Sequence, residues 1–243
     1  MGGTGEAREL ARIASGERGY DIVSSLAGRV RDPRLPAGEV RVGGFGGADG
    51  LREWLSDNAI DRIVDATHPF AAAISANASY AAVAAGVPLL RLLRPAWTAG
   101  PGDNWIPVPD LDAAARTVGA GSARVFLTIG RQGVGVFAGL PEPWFLIRAI
   151  DPPTAAVPPR HRLLLARGPF SVPEERALMS RYDIDVLVTK NSGGDQTEAK
   201  LEAARELGVP VVMIGRPATP PATAVVGGVD AAREWLATPG IRP

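Results

Sequence analysis

The chain has 243 residues, of which 46% are hydrophobic and 21% charged, and its 26 basic and 26 acidic side chains give a formal net charge of zero. This is the composition of a globular protein, and the balanced charge gives no general attraction to nucleic acid or to an anionic membrane. The absence of Cys excludes a thiol nucleophile, a disulfide framework and a Cys-ligated metal, and two His residues argue against a His-rich metal site. No apolar run approaches a membrane-spanning length and no signal-peptide core is present, so we expect a cytoplasmic protein without a metal.

Short apolar runs alternate with helix-like segments along most of the chain. In its first part the pattern predicts strands at 20–25, 39–45, 62–66 and 87–93, and helices at 6–14, 51–58 and 71–85. After residue 110 it predicts strands at 124–129, 144–150, 162–166, 185–189 and 211–214, and helices at 111–118, 173–182, 198–207 and 230–237. Such alternation is typical of parallel sheets covered by helices.

The stretch from residue 94 to residue 109 interrupts this alternation with four prolines and two glycines. That composition favours a connection between domains over an element of a core. We therefore predict an α/β protein of two Rossmann-like domains with parallel sheets and an active-site cleft between them. Residues 1–95 form the nucleotide-binding domain, 96–110 the linker, and 111–243 a second α/β domain that binds the substrate.

A glycine loop, Gly2-Gly3-Thr4-Gly5, leads directly into the first predicted helix at Glu6. Glycines allow the backbone to approach a phosphate, and the helix start presents unpaired N–H groups with a partial positive charge, to which Thr4 can add a hydroxyl donor. In a dinucleotide-binding fold this loop follows the first strand, but here only Met1 precedes it, so we expect that the first strand is missing from this chain. The alternative interpretation of the loop is a flexible N-terminal tail.

The end of the next strand indicates which dinucleotide is bound. The run Ser24-Ser25-Leu26-Ala27-Gly28-Arg29 stands where NAD enzymes often place an acidic residue for the ribose hydroxyls. Arg29 can grip a 2′-phosphate through charge-assisted hydrogen bonds, which favours NADP(H) over NAD, unless it is an ordinary solvated cation. After the following strand, the glycines around Gly44 and Phe45 permit close approach of a flat ligand, or form a mobile surface loop.

Thr67 and His68 stand where the strand at 62–66 gives way to a helix. Ligands of open α/β sheets bind at such carboxyl ends of strands, so we predict that both residues contact cofactor or substrate. His68 can orient the cofactor or donate a proton near neutral pH, and we count both residues as candidate catalytic groups. The alternative is that His68 caps the helix or packs within the turn.

Four loops of the second half combine cations, amides or hydroxyls with glycine immediately after a predicted strand. The candidate ligands in them are Arg131, Arg167, Lys190, Asn191, Ser192, Gly193 and Arg216. One such loop carries little weight, but several along one sheet edge suggest a ligand with several negative groups. Lys190 taken alone is also compatible with an ordinary surface lysine.

Five of these motifs together resemble the precorrin-6A reductase family. They are Gly-Gly-Thr-Gly-Glu at 2–6, Ser-Ser-Leu-Ala-Gly-Arg at 24–29, Gly-Gly-Phe-Gly-Gly at 43–47, Asp-Ala-Thr-His-Pro-Phe-Ala at 65–71 and Thr-Lys-Asn-Ser-Gly-Gly at 189–194. The resemblance spans essentially the whole chain. It implies two Rossmann-like domains that flank the active site, and NADPH-dependent reduction of a double bond in the precorrin-6A macrocycle to give precorrin-6B in cobalamin biosynthesis.

The resemblance also implies a large flat substrate edged with acetate and propionate carboxylates, which the cationic loops of the second half would suit. Hydride transfer to such a ring depends mainly on positioning, and the completing proton can come from His68, a hydroxyl or water. Two alternatives remain open. One is an NADP-dependent oxidoreductase that acts on a smaller substrate or on the cobalt-containing ring, and the other is a nucleotide sensor without catalysis.

Overall fold

The computed structural model describes residues 1–17, 19–28, 35–121 and 123–240. Within these residues eleven strands alternate with seven α-helices, and every strand pairing is parallel, which confirms the predicted α/β class. The strands are β1 (Val23–Leu26), β2 (Glu39–Val42), β3 (Ile63–Asp65), β4 (Leu89–Leu92), β5 (Trp105–Val108), β6 (Arg124–Leu127), β7 (Trp144–Ala149), β8 (His161–Leu165), β9 (Val186–Lys190), β10 (Val211–Ile214) and β11 (Ala224–Val226). The helices are α1 (Gly5–Gly16), α2 (Ala48–Asp57), α3 (Ala72–Ala85), α4 (Leu111–Gly119), α5 (Val172–Arg181), α6 (Ala199–Leu207) and α7 (Val229–Ala237). None of the helices in the described ranges is both long and apolar enough to cross a membrane.

The chain divides into two compact units. Unit 1 comprises Met1–Pro95 together with Pro217–Pro243, and unit 2 is the continuous segment Ala96–Arg216. This division differs from the predicted one, because the C-terminal segment belongs with the first unit. The reason is that β11 pairs with β4 and that Ala232 of α7 packs in the same apolar cluster as Leu10 of α1.

The predicted linker 96–110 is also wrong in part, because it contains β5. This strand pairs with β10 at the edge of the unit 2 sheet, with Pro107 opposite Met213. A proline lacks the N–H that an interior strand must donate, but an edge strand bonds on one side only and tolerates it. The proline content that suggested a linker is therefore compatible with an edge strand.

Unit 1 contains the sheets β1-β2 and β11-β4-β3, and the first two residues of the chain hydrogen-bond to both. The backbone N–H of Gly2 donates to Ser25 O (2.9 Å), while Met1 N donates to Val64 O (2.8 Å) and Met1 O accepts from Ala66 N (3.0 Å). Met1 therefore pairs with Asp65 in the parallel pattern. From here the chain runs through α1 to β1 and β2 on one side, and later to β3, β4 and β11 on the other, so the strand order reverses between the glycine loop and β3.

The two faces of unit 1 are covered by different helices. Leu89 packs with Leu51 and Leu55 of α2 and with Ala78 of α3, whereas the next residue, Leu90, packs with α1 and α7. This is the expected consequence of side chains alternating across a strand that is buried on both faces.

Unit 2 is a six-stranded parallel sheet in the order β5-β10-β9-β6-β7-β8. The chain moves from β6 outward to β7 and β8, then returns through α5 to β9 and moves outward the other way to β10. The strand order thus reverses between β6 and β9, and ligands of open α/β sheets bind outside the carboxyl ends of the strands at such a point. The helix predicted at 173–182 is α5, which begins at Val172, and at its N-cap Ser171 accepts from Glu174 N while the Glu174 carboxylate accepts from Ser171 N in a capping box.

Candidate functional site

The strand-order reversal of unit 1 brings together three of the predicted segments. The glycine loop at 2–5 lies between the end of β1 and the residues that follow β3, because Gly2 bonds to Ser25 and Met1 bonds on both sides of Asp65. The loop therefore opens onto the carboxyl edge that also carries Thr67 and His68. Sequence reasoning had placed each segment at a strand end, and the topology shows that they share one edge.

Thr4 is the N-cap of α1, and its hydroxyl is already used. Its Oγ1 accepts from Ala7 N (3.1 Å) and donates its one proton to Ala66 O (2.8 Å). The suggestion that the Thr4 hydroxyl donates to a phosphate is therefore wrong for this structure, because the proton holds the loop against the end of β3. The backbone still suits a phosphate: Gly3 has φ +118°, and a Cβ there would meet no atom within 4 Å.

Glu6, in the first turn of α1, forms an ion pair with Arg94, which follows β4. The Arg94 guanidinium donates to both carboxylate oxygens of Glu6 at 3.1 and 3.2 Å, and both side chains are largely buried. Burial raises the pKa of Glu6, but its own backbone N–H and Arg94 outweigh this effect and hold the pKa below its ordinary value. The helix start thus combines its partial positive charge with a cation that sequence reasoning missed.

We expect the Glu6–Arg94 pair to make unfolding depend on pH in the acid range. The pKa of Glu6 is lower in the folded protein than the ordinary value of about 4.3, so the pair stabilises above that pH and is lost as the pH falls through the folded pKa. Glu6→Gln should lower the stability by about 0.5–1 kcal/mol near neutrality, and the gap in melting temperature should close below about pH 4.

The matched control is Glu53→Gln on α2, since Glu53 pairs with Arg52 in an exposed position. Melting curves of this variant should follow the wild type at every pH. A Glu6→Gln gap that persists unchanged to the lowest pH at which the protein folds would contradict the linkage to this carboxyl.

The ends of β1 and β2 form the second part of the edge. Ser24 and Ser25 are half-buried in β1, Leu26 at its end is buried, and Ala27 and Gly28 after it are exposed. The Gly43 N–H donates to Leu26 O (2.8 Å), which joins the two strand ends. Arg29, on which the choice of NADP(H) depends, lies outside the described residues.

Arg41 organises the glycine loop after β2. Its guanidinium donates to Gly43 O and Gly44 O, each at 2.8 Å, and its Cζ lies 3.8 Å from the centroid of the Phe45 ring. Phe45 in turn packs against Trp54 of α2, with 5.3 Å between ring centroids. The predicted loop is therefore tied to the unit, and a Cβ at Gly44 would still meet no atom within 4 Å.

Asp65, the last residue of β3, is the hub of a buried polar network. Its Oδ1 accepts from the backbone and the hydroxyl of Thr67 at 3.1 and 2.7 Å, and its Oδ2 accepts from Ser75 Oγ at 2.6 Å and Arg91 Nε at 3.2 Å. The side chains of Asp65 and Arg91 are 1% and 4% exposed. Burial raises the pKa of Asp65, but the hydrogen bonds from Ser75 and Thr67 outweigh it and hold the pKa below its ordinary value. Asp65 is therefore a carboxylate that fixes the turn after β3.

The two candidate catalytic residues lie in this turn. Thr67 is buried and its hydroxyl proton is donated to Asp65, so it offers a ligand an acceptor. His68 is exposed, and its Nδ1 accepts from Phe70 N at 3.2 Å. A nitrogen that accepts carries no proton, so the neutral ring holds its proton on Nε2. This bond is a contact within the turn, as the alternative interpretation of His68 expected.

A small pocket lies beside these residues within unit 1. One wall is the turn after β3, the floor is formed by β4 and the start of α3, and the opposite wall is the segment 217–220. Its lining comprises Asp65, Thr67, His68, Pro69, Ala72, Ser75, Arg91, Leu92, Leu93, Pro217, Ala218, Thr219 and Pro220. Four of the polar lining residues, Asp65, Thr67, Ser75 and Arg91, belong to the Asp65 network, and His68 and Thr219 add two more polar side chains.

The strand-order reversal of unit 2 lies between two of the predicted loops, the one after β6 and the one after β9. Arg131 is half-buried in the first of these, and Lys190 closes β9 beside the second. Burial lowers the pKa of the Lys190 ammonium group. Gly193 and Gly194 have φ values of +66° and +78°, so the loop after β9 makes a turn that side chains would strain.

Asn191, Ser192 and Arg216 form one bonded group at this loop. The Asn191 amide accepts from Trp97 N (2.8 Å) and donates to Trp97 O (3.0 Å). Arg216 Nε donates to Asn191 O (2.8 Å), and its terminal nitrogen donates to Ser192 O (3.0 Å). The side chains of Asn191 and Arg216 therefore hold the loop and the Trp97 backbone in place, and Ser192 takes part through its backbone carbonyl.

Arg167 is exposed and follows β8, the edge strand. Two strand spacings separate β8 from β6, so Arg167 begins about 10 Å from the reversal point. Its loop is held by Arg148, whose Cζ lies 3.8 Å from the Phe170 ring centroid and whose guanidinium pairs with buried Glu175. The structure thus groups Arg131, Lys190 and Arg216 along neighbouring strands, with Arg167 at the sheet margin.

The role of Asp65 at the centre of the polar network was not identified from the sequence, nor were the three cations Arg91, Arg94 and Arg41. A signal for Arg91 was present, since it is the one charged residue in the apolar run 87–93 and a buried arginine requires a partner. Within the described ranges, no group of three or more His, Cys, Asp or Glu side chains is arranged to hold a metal ion.

The chain is similar to several known proteins along nearly its whole length. The chain is 60% identical over 238 residues to the precorrin-6A reductase of Rhodococcus erythropolis, covering 98% of this chain and 96% of the relative. A solved structure named CobK precorrin-6A reductase superposes with a TM-score of 0.91 at 43% identity, covering 97% of this chain and 94% of the other. The cobalt-precorrin-6A reductase of Priestia megaterium is 31% identical and covers 89% of both chains.

A family model also matches nearly the whole chain. The description of this family is precorrin-6x reductase CbiJ/CobK, and its model matches residues 1–237, which include both units and every candidate site residue named above. The chain belongs to the precorrin-6x reductase CbiJ/CobK family.

Proposed function

We propose that the protein reduces a double bond of precorrin-6A with NADPH to give precorrin-6B, a step of cobalamin biosynthesis. The observation that carries this proposal is the match to the reductase family over nearly the whole chain, including a relative at 60% identity that is named for this reaction. The site geometry is compatible with it, because a glycine loop and a candidate proton donor share the edge where the strand order of unit 1 reverses.

Membership of a reductase family implies a nicotinamide cofactor, and the residues of unit 1 fit one. The start of α1 with Gly2, Gly3, Gly5 and the Thr4 backbone would hold the pyrophosphate, with Glu6 retaining Arg94 beside it. The 2′-phosphate would be bound by Ser24, Ser25 and Arg29, so the cofactor in this proposal is NADPH. The adenosine half would lie beside Gly44 and Phe45. The bound cofactor supplies the hydride.

The pocket beside β3 and β4 would receive the nicotinamide half of the cofactor. Thr67 offers an acceptor for a carboxamide N–H, and Asp65 keeps that hydroxyl in place. His68 holds a proton on Nε2 and is the group we propose as proton donor to the reduced ring. The apolar lining of Leu92 and Leu93 limits water near the reacting carbon.

We propose that unit 2 binds the carboxylates of the macrocycle. The strand-order reversal of unit 2 is flanked by Lys190 and Arg131. Beside them lie Arg216 and the loop that contains Asn191, Ser192 and Gly193, and Arg167 follows β8 at the edge of the sheet. The lowered pKa of Lys190 supports this role, because a carboxylate bound beside the ammonium group would offset the free-energy cost of burying its charge. A set of cations spread over several strand ends suits a ligand with several separated anionic groups.

The test is NADPH oxidation by the purified protein with three substrates: precorrin-6A, its cobalt-containing form, and simple carbonyl compounds. We expect turnover with precorrin-6A and a lower kcat/KM with the cobalt form, because the relative named for the cobalt form is half as similar as the one named for precorrin-6A. Turnover of the small carbonyl compounds alone would overturn the proposal that precorrin-6A is the substrate. NADPH binding without turnover of any ring would overturn the enzymatic function and leave a nucleotide sensor.

A further inference from the structure

Arg91 joins the two walls of the unit 1 pocket. Its Nε donates to Asp65 on the wall formed by the turn after β3, and one terminal nitrogen donates to Pro220 O on the opposite wall. The other terminal nitrogen donates to Ser75 O and Ser79 Oγ of α3, each at 3.3 Å. One buried guanidinium thus fixes three separate elements around the pocket.

The segment 217–222 depends on such side-chain contacts. It contains Pro217, Pro220 and Pro221, which have no N–H and therefore cannot donate to a neighbouring strand. Pro220 O accepts from Arg91, and Pro221 O accepts from the Ser79 hydroxyl. Regular backbone pairing with β4 resumes only at Thr223, whose N–H donates to Leu89 O at 2.9 Å.

We propose that Arg91 is a positioning residue that sets the separation of the two pocket walls and thereby the fit of the nicotinamide half of the cofactor. The inference rests on the proposed function, in which this pocket receives that half. The argument is geometric: a planar guanidinium donates in three fixed directions at once, while a lysine ammonium in the same place retains the charge opposite Asp65 but cannot hold Pro220 and α3 together. Asp65 and Thr67 are held by the same group, so loosening one wall also loosens the turn that carries His68.

A purely structural role for Arg91 makes a different prediction. In that case Arg91→Lys would lower the stability of the protein and leave the affinity of the folded protein for each part of the cofactor unchanged. The two roles are separated by comparing NADPH with adenosine 2′,5′-bisphosphate, which carries the adenosine and 2′-phosphate groups but lacks the nicotinamide half.

The experiment is a binding titration of Arg91→Lys with these two ligands. We expect NADPH to bind about tenfold or more weakly, the effect of losing a charge-assisted hydrogen bond, and adenosine 2′,5′-bisphosphate to bind as to wild type. In turnover, the KM for NADPH should rise while the KM for precorrin-6A stays constant. Equal weakening of both ligands, or unchanged NADPH affinity, would overturn the proposal.

The matched control is Arg62→Lys. Arg62 stands at the opposite end of β3 and donates to the carbonyls of Trp235, Leu236 and Thr238, so it also ties a C-terminal segment to the sheet, but away from the pocket. This variant should bind both ligands as wild type does. If Arg91→Lys does not fold, Ser79→Ala removes one Arg91 contact and the anchor of Pro221, and it should show the same selective loss to a smaller degree. Wild-type protein that binds NADPH but does not reduce precorrin-6A would refute the proposed function, while the titrations would still decide the role of Arg91.

Discussion

Arg29→Ala is expected to weaken NADPH binding by about 1.5–3 kcal/mol, the range for a hydrogen bond to a charged group, while NADH binding changes little. The two cofactors differ only by the 2′-phosphate, so their ratio isolates this contact. In the sequence, Arg29 comes three residues after Leu26, the last residue of β1, in a segment that offers hydroxyls and a cation in place of an acidic residue. Equilibrium titration with both cofactors measures the effect.

Two further variants make the Arg29 result specific. Arg12→Ala removes one positive charge from the exposed side of α1, where Arg12 pairs with Glu9, and should leave both affinities unchanged. Arg29→Lys keeps the charge without the two-pronged donor and should fall between wild type and Arg29→Ala. Equal weakening of NADPH and NADH by Arg29→Ala would assign Arg29 a general role in folding or in pyrophosphate binding.

Glu175→Ala is expected to destabilise the protein by about 3–5 kcal/mol, because it leaves a charge buried without its partner. Glu175 is 1% exposed and accepts from Arg148, which is 7% exposed and is flanked by the rings of Phe126 and Phe170. In the described part of the chain no donor reaches the second oxygen of Glu175, so this pair is imperfectly satisfied. Chemical denaturation followed by tryptophan fluorescence reports the loss, since unit 2 carries Trp97, Trp105 and Trp144.

The double variant Arg148→Met, Glu175→Leu distinguishes a buried charge from a lost contact. Replacing both partners with apolar side chains removes the unpaired charge, so this variant should be more stable than Glu175→Ala and close to wild type. A destabilisation below about 1 kcal/mol in Glu175→Ala would show that water reaches the site. An equally large loss in the double variant would mean that packing, and not charge, carries the effect.

Local sequence patterns predicted most elements of the fold but not how the chain is divided. The alternation of apolar and polar residues is local, which is why β10 was predicted at its exact bounds and α5 to within one residue of its ends. The strand β5 was missed because Pro107 resembles a linker residue, and three-residue β11 is too short to show a periodicity. The return of residues 217–240 to unit 1 depends on pairing with β4, more than a hundred residues earlier, and no local pattern records it.

For the candidate site, too, the sequence predicted the local residue types but not the contacts between distant residues. Glycines, hydroxyls and cations at strand ends were recognised because the carboxyl ends of parallel strands share one edge. The partners of those groups were not, because they are distant in sequence: Thr4 donates to Ala66, Arg94 pairs with Glu6, and Arg91 reaches Pro220. The structure therefore changed the role of Thr4 from phosphate donor to loop anchor and added Arg91.

The division of the chain also orders events during synthesis on the ribosome. Unit 2 is continuous and all of its strands are made before residue 216, so it can fold while the polypeptide is still growing. Unit 1 has to wait, because β4 keeps an unpaired edge and Leu90 and Leu92 lack the cover of α7 until β11 and α7 have emerged. During that interval unit 1 has an unpaired strand edge, a feature that favours aggregation, while it is attached to a unit 2 that can already be folded.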